Sequence, residues 1–203
     1  IYISTLNSSF SLNCNNVDEF PNLDLEESKN PIILSNKILK NIFNQTTFAA
    51  STSGIKPEIT GMNFKIKKNI LECTATDSYR LSKKTIILDK TIDEEINIII
   101  PTKNLIELSK LFSDDEENVE IHIFKNKIIF KFGTIIMLSR LINSTYPDVS
   151  RLIPTEFLLK MTVPTTEFYN LLDRVSLFAQ EEEKNTVKLE CKDNVAIVTS
   201  NIP

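Results

Sequence analysis

Glycine is scarce in this sequence: Gly54, Gly61 and Gly133 are the only three. Three scattered glycines cannot build a G-x-G-x-x-G turn or a P-loop, so those phosphate cradles are excluded. The single histidine, His122, argues against His-based catalysis and His-rich metal ligation. Cysteine is limited to Cys14, Cys73 and Cys191, an odd number without C-x-x-C spacing. That excludes a disulfide framework and a cysteine zinc site, and fits a reducing compartment. Tryptophan is absent. No apolar run approaches the roughly 18 residues of a membrane span. The longest, Ile96 to Pro101 with Asn97 inside it, is strand-sized, and no basic-then-apolar leader opens the chain. What remains is an ordinary globular mixture of 203 residues, 41% hydrophobic and 25% charged, with net charge −4. It suffices for one large domain or two small ones. The many Ile, Asn and Lys residues read as a bias of synthesis, not of fold. The chain begins at Ile1 and stops at Asn201-Ile202-Pro203 after a strand-like run, which predicts a piece of something longer.

The sequence repeats itself. Ile1–Leu23 aligns with Lys127–Val149, 126 positions on, placing Phe10-Ser11-Leu12 on Ile136-Met137-Leu138 and Phe20-Pro21 on Tyr146-Pro147. Met62–Thr76 aligns with Val187–Asn201 at offset 125, placing Phe64, Ile66, Asn69 and Thr74 on Leu189, Cys191, Asn194 and Thr199. Ile38–Ala49 aligns with Phe168–Ala179 at offset 130, with Ile42, Phe48 and Ala49 on Leu172, Phe178 and Ala179. Each match is short, but three fall in the right order. They predict the end of one unit (1–24), a complete second unit (25–153) and the start of a third (154–203).

Within the full unit, Ser35 is placed to cap a helix reaching about Ala50. Its stripe of Ile38, Leu39, Ile42, Phe43 and Thr46 is spaced for burial. Met62, Phe64 and Ile66 alternate, Lys67-Lys68-Asn69 reads as a turn, and a second strand follows through Ala75. Ile96–Ile100 reads as a short strand. Pro101 then suits the first turn of a helix ending near Phe112. Val119, Ile121 and Ile123 alternate, Lys125-Asn126 turns, Ile128, Phe130 and Phe132 alternate back, and a strand spans about Ile135–Leu141. His122, inside an alternating strand, reads as structural, and the cysteines as small strand or core residues. The expected class is α+β, with two helices per unit on antiparallel sheet.

Charge is uneven. The first helix carries Lys37 and Lys40 without an acid, and the second carries Lys103 and Lys110 against Glu107 alone. Acids collect at Asp93–Glu95, Asp114–Glu117 and Glu181–Glu183. This reads either as helix surface solvated by lysine, or as a scaffold basic on one side and acidic on the other that holds a polyanion.

Four stretches resemble a known family: Glu19-Phe20-Pro21-Asn22-Leu23; Thr74-Ala75-Thr76-Asp77-Ser78-Tyr79-Arg80-Leu81; Ile100-Pro101-Thr102-Lys103-Asn104-Leu105-Ile106-Glu107-Leu108; and Tyr146-Pro147-Asp148 with Arg151-Leu152-Ile153-Pro154. The sequence is similar along its whole length to the bacterial DNA sliding clamp, the DNA polymerase III beta subunit. The resemblance implies a DNA-clamp fold of repeated domains and a homodimeric ring around duplex DNA. Such a ring is non-catalytic, has no cofactor or metal, and works in the cytoplasm at the nucleoid. Its partners would be duplex DNA of any sequence, and polymerase, clamp-loader and repair proteins docking through short linear motifs; no membrane is involved.

Carried over by position, the resemblance implies a peptide-binding pocket from Ile59, Gly61, Thr76, Asp77, Ser78, Tyr79, Arg80, Leu81, Pro147, Arg151 and Leu152. Ile59, Leu81, Pro147 and Leu152 would form its apolar floor. Many relatives have Gly-His where this chain has Ser78-Tyr79. Lys37, Lys40, Lys56, Lys103, Lys110 and Arg174 would face DNA, attracting phosphates without reading bases. Phe10, Leu12, Leu177 and Phe178 would lie at the subunit interface. Two rivals remain. An enzyme using Asp77 with Arg80, or the carboxylates Asp114–Glu117, lacks a nucleophile–base pair. A non-ring α+β DNA- or protein-binding module would explain the lysines but leaves the repeat and the paired motifs unexplained.

Overall fold

The computed structural model describes residues 1–20, 24–178, 186–192 and 194–200. Pro21, Asn22, Leu23, Ala179, the acidic run Glu181–Glu183 and Asn201–Pro203, all used in the sequence reading, lie outside the described residues. The chain divides into two compact units, Ile1–Asp148 and Val149–Pro203.

The first unit opens with a hairpin of β1 (Tyr2–Ser4) and β2 (Ser9–Ser11), in which Ile3 faces Phe10 across the ladder. β3 (Ile32–Ser35) then leads into α1 (Asn36–Thr46). The helix starts where expected because Ser35 Oγ accepts the Ile38 N–H at 3.3 Å. It ends as Thr46 and Thr47 donate their hydroxyls back to the carbonyls of Ile42 and Phe43, at 2.7 and 2.8 Å. The chain tightens there into the 3-10 turn Thr47–Ala49. Leu39, Ile42, Phe43 and Thr46 are buried, but Ile38 is 38% exposed. Asn36 takes the expected place of Ile38 in the buried face, because its side-chain amide bonds the carbonyls of Ser113 and Asp115 and accepts the Glu117 N–H.

β4 (Gly61–Thr76) and β5 (Leu81–Pro101) pair antiparallel. β4 stays extended through Lys67-Lys68-Asn69, where a turn was expected, yet the ladder shifts register between Ile66, Lys68 and Ile70, and Lys68 takes φ +56°. The buried alternation changes phase there, from Met62, Phe64 and Ile66 to Leu71, Cys73 and Ala75. β5 is far longer than the expected Ile96–Ile100, because Leu81–Ile87 also pairs along β4. Pro101 closes β5 and caps α2 (Thr102–Leu111), one residue outside the helix and not in its first turn.

β6 (Asn118–Ile123), β7 (Lys127–Phe132) and β8 (Ile135–Arg140) join β3 in a four-stranded antiparallel sheet ordered β3-β6-β7-β8. The Lys125-Asn126 turn is closed by the Phe124 N–H donating to Lys127 O at 2.9 Å. Gly133, at φ +49°, turns β7 into β8, a conformation glycine takes without strain. Val119, Ile121, Ile128, Phe130 and Phe132 fill one core with Leu39, Phe43, Phe64, Leu105 and Leu108. Phe43 stacks on Phe112 (centroids 6.4 Å apart), and Phe112 meets Phe132 edge-on at 5.1 Å, tying α1, the end of α2 and β7 together.

The second unit holds a one-turn helix (Ser150–Leu152), α3 (Thr165–Ser176) and the hairpin β9 (Lys188–Lys192) with β10 (Val195–Thr199). Its elements follow the alignment: α3 falls on α1, and β9–β10 on β4, with Asn194 at φ +65° one alignment position past Lys68. Likewise β1–β2 falls on β7–β8.

Candidate functional site

The most constrained polar feature in the first unit is the turn Thr76–Leu81 joining β4 to β5. Thr76 is buried, and its Oγ1 donates to Arg80 O at 2.7 Å while accepting the Ser78 N–H at 3.1 Å. Asp77 Oδ1 accepts the N–H groups of Tyr79 and Arg80 at 3.0 and 2.9 Å, and Oδ2 accepts Arg80 Nε–H at 3.0 Å. Ser78 sits at φ +79°, the left-handed region that glycine enters without cost. Tyr79 is 98% exposed. Arg80 also lies over the Phe48 ring, 5.7 Å from its centroid. The turn holds itself together and presents Tyr79 and the Arg80 guanidinium outward.

Three donors aimed at one carboxylate hold the Asp77 pKa below its ordinary 3.8; the Arg80 N–H contributes most, then the Tyr79 N–H, then the Arg80 side chain. The folded-state pKa is therefore below the unfolded one. The stability this group adds is complete above about pH 5 and disappears as pH falls through the folded pKa. Asp77→Asn should lower the melting temperature at neutral pH, and the gap from the parent should narrow as pH falls below the ordinary carboxylate range. Thermal melts of both proteins across that range check this; a gap that stays constant would remove the linkage.

The second motif reaches the same turn through Tyr146. Its ring is buried, and its hydroxyl lies near the Thr76 backbone without a hydrogen bond of ordinary geometry, so burial pushes its pKa up to about 12. Pro147 beside it is exposed. Ile59, in the 3-10 turn Pro57–Thr60, is buried, and its carbonyl accepts the Ser51 N–H at 2.9 Å. Gly61 has no room for a side chain: a Cβ would lie 2.4 Å from Ile99 Cγ2 and 2.9 Å from Ile100 O and Ile142 Cδ1. Leu81 is half-buried at the start of β5. The remaining two pocket candidates, Arg151 and Leu152, belong to the second unit and are exposed. A groove of about 1070 Å³ runs between β3 and the middle of β5, past Ile33, Ile87 and Asp93. No pocket candidate lines it.

The family model of the DNA polymerase III beta subunit, central domain, matches residues 33–148, more than half of the chain. The chain belongs to the DNA polymerase III beta subunit family, the beta sliding clamps. It is 41% identical to the beta sliding clamp of Staphylococcus aureus over 201 residues, which is 99% of this chain and 53% of that relative. The Bacillus subtilis beta sliding clamp is also 41% identical, over 97% of this chain and 52% of the relative. Among solved structures, the DNA polymerase sliding clamp from Bacillus subtilis matches with TM-score 0.91 at 39% identity, covering 100% of this chain and 53% of the other. The DNA polymerase III beta chain from Streptococcus pneumoniae matches with TM-score 0.84 at 35% identity, covering 100% and 54%. The chain thus spans about half the length of the curated relatives it matches, and its α+β architecture is the DNA-clamp fold.

In this clamp chain the helix lysines are not all unopposed. Lys37 pairs with Glu116 at 3.4 Å, Lys40 with Asp114 at 3.9 Å, and Lys110 with Glu107 at 2.7 Å. Of the two readings of the charge pattern, the one with separate basic and acidic sides does not hold at the Asp114–Glu117 run, which pairs with Lys37 and Lys40. The backbone of that loop bonds the Asn36 side chain at the start of α1, which brings the Glu116 and Asp114 carboxylates to Lys37 and Lys40. Exposed pairs of this kind are worth about 0–1 kcal/mol, so a phosphate can displace them. Lys56 and Lys103 are exposed and make no ion pair among the described residues. Arg174 on α3 is exposed, with Nε donating to Asn170 O at 3.3 Å. The interface candidates are open apolar surface: Phe10 59%, Leu12 54%, Leu177 77% and Phe178 69% exposed. Cys73 is buried on β4 and Cys191 lies on β9, as the reading of the cysteines as strand or core residues expected, with the Cys73 thiol pKa pushed well up by burial; Cys14 is exposed and outside any strand, so for it that reading fails.

Proposed function

We infer that the whole protein is a sliding clamp: a closed homodimeric ring that encircles duplex DNA and tethers polymerase, clamp-loader and repair proteins. Residues 1–24, 25–153 and 154–203 are the end of its first domain, its middle domain and the start of its third. The observation that carries this reading is 41% identity to beta sliding clamps across 99% of the chain. The lysine-bearing helices α1 and α2 and the exposed apolar edge at Phe10 and Leu12 also support it.

Lys37, Lys40, Lys56, Lys103, Lys110 and Arg174 supply weak phosphate contacts that ignore sequence and so permit sliding. Lys56 and Lys103 contribute most, since among the described residues neither is held in an ion pair. Retention comes from ring closure, through Phe10 and Leu12 on one subunit and Leu177 and Phe178 on the other. On the first unit, partner peptides dock on Ile59, Gly61, Thr76, Asp77, Ser78, Tyr79, Arg80, Leu81 and Pro147; the second unit offers Arg151 and Leu152 for peptide contact. In this scheme Ile59 and Gly61 act as buried support, and Leu81, Pro147 and Leu152 offer apolar contact. In this reading the ring does no chemistry of its own and acts only as a tether, as its likeness to sliding clamps supports.

The test is topological. The full-length protein, loaded onto nicked circular plasmid, should survive a high-salt wash and then be lost when the plasmid is cut. An electrostatic binder would wash off both forms alike, since its affinity falls steeply with salt. Equal loss from circle and line would sink the ring.

A further inference from the structure

The segment leading into β3 is strapped to the sheet. Lys127 holds Asp24 at 2.6 Å, Lys131 holds Glu27 at 2.6 Å, and the Ser28 N–H donates to His122 Nδ1 at 3.0 Å. At the centre of this strap sits the only histidine. His122 lies on β6 with its side chain 1% exposed, and its Nε2 has no hydrogen-bond partner. A buried polar nitrogen left unpaired is costly and uncommon, so it asks for an explanation. The nearest Glu120 oxygen, Oε2, is 3.5 Å from Nε2, longer than an ordinary hydrogen bond. Glu27 closes the group: one ligand atom from each of Glu27, Glu120 and His122 lies within 4.8 Å of the other two.

We propose that Glu27, Glu120 and His122 form a site for one divalent transition-metal cation of the zinc class, fastening the segment before β3 to β6. One imidazole nitrogen and two carboxylate oxygens are a borderline donor set that suits zinc better than magnesium, and water can take a fourth position. Both carboxylates are partly exposed and on flexible side chains, so contraction to bonding distance needs only rotamer shifts. Lys131 opposes the cation, but two carboxylates against one ammonium leave the cluster net negative, and Glu27 pairs with Lys131 through a single oxygen. The ring proton must be accounted for. With Nδ1 accepting the Ser28 N–H, neutral His122 carries its proton on Nε2. On cation binding, Nε2 gives that proton to solvent and Nδ1 takes one up. Ser28 Oγ, 3.1 Å from Nδ1, accepts it there. A metal-bound histidine usually donates its far N–H to a carboxylate, a carbonyl or water, and here the Ser28 hydroxyl takes that place. The Ser28 N–H loses its acceptor, which tempers affinity without forbidding binding.

The probe is Zn²⁺ added to this chain with Cys14→Ser and Cys191→Ser, since both exposed thiols would compete for it. Because this chain has one histidine, its ring C–H signals in a proton NMR spectrum report the site directly. We expect one equivalent of zinc to move those signals, and Mg²⁺ to leave them in place. At a zinc concentration near a hundred times Kd the melting temperature should rise by roughly 5–10 °C. Glu120→Gln, a partly exposed change that keeps shape and removes charge, should weaken binding at least about tenfold. Ring signals unmoved at saturating zinc, or a Glu120→Gln protein that binds as the parent does, would overturn the site. Neither outcome bears on the ring, which the plasmid experiment tests separately.

Discussion

Phe43→Ala should destabilise the first unit by about 3–5 kcal/mol, the range for removing a large aromatic side chain from a packed core. Phe43 is 1% exposed and stacks on Phe112, which in turn meets Phe132. Truncation leaves a cavity between α1, the end of α2 and β7, and their neighbours on the sheet and helices can close it only in part. Since small domains have only about 5–15 kcal/mol in hand, this single change should shift the denaturant midpoint by a large fraction of its value. Urea unfolding of parent and variant, followed by circular dichroism, measures it. A loss below about 1 kcal/mol would mean that the core collapses around the gap, and that the three-ring stack is not what joins helices to sheet.

Gly61→Ala should cost about 1–3 kcal/mol, through crowding and not through backbone strain. The glycine has φ −103°, which any residue adopts, so conformational freedom is not why it is there. What matters is that an added Cβ would meet Ile99 Cγ2 at 2.4 Å, Ile100 O at 2.9 Å and Ile142 Cδ1 at 2.9 Å. The isoleucine branches can rotate away, but the Ile100 carbonyl belongs to the β4–β5 ladder and cannot. Gly61 also follows directly on the turn that carries Ile59. The variant should therefore bind a partner-type peptide more weakly as well as melt earlier, even though residue 61 offers no contact of its own. Thermal melts, with peptide titrations well below the melting point, check both halves. An unchanged melting temperature would mean that the ladder yields at little cost.

The local elements were legible in the sequence because their causes are local. Ser35 caps α1 through a bond to a residue three positions on, and the alternation of Val119 to Ile123 and Ile128 to Phe132 needs only the two-residue period of a strand. The internal repeat was legible for the same reason, since each match is a short pattern read in order. The misplaced features were those that other parts of the chain decide. Ile38 has the right spacing for burial, but Asn36 takes the core position by bonding carbonyls more than 70 residues away. β5 extends well past its apolar stretch because β4 supplies a partner for its polar half. The acidic loop Asp114–Glu117 looked remote from the helix lysines and instead lies against α1.

The candidate sites divide in the same way. The Thr76–Leu81 turn could be marked from its motif, since its bonds span four residues or fewer. Its link to Tyr146 needed the fold. Glu27, Glu120 and His122 share no pattern at all, because Glu27 stands more than 90 residues from the other two and only the docking of its segment on the sheet brings them together. The sequence by itself determined the α+β class and the family, because these rest on periodicity and short motifs. Which charges oppose one another, which glycine is indispensable and where a cation could sit were decided by the tertiary structure alone. They depend on distances between residues remote in the chain, and no local period encodes those distances.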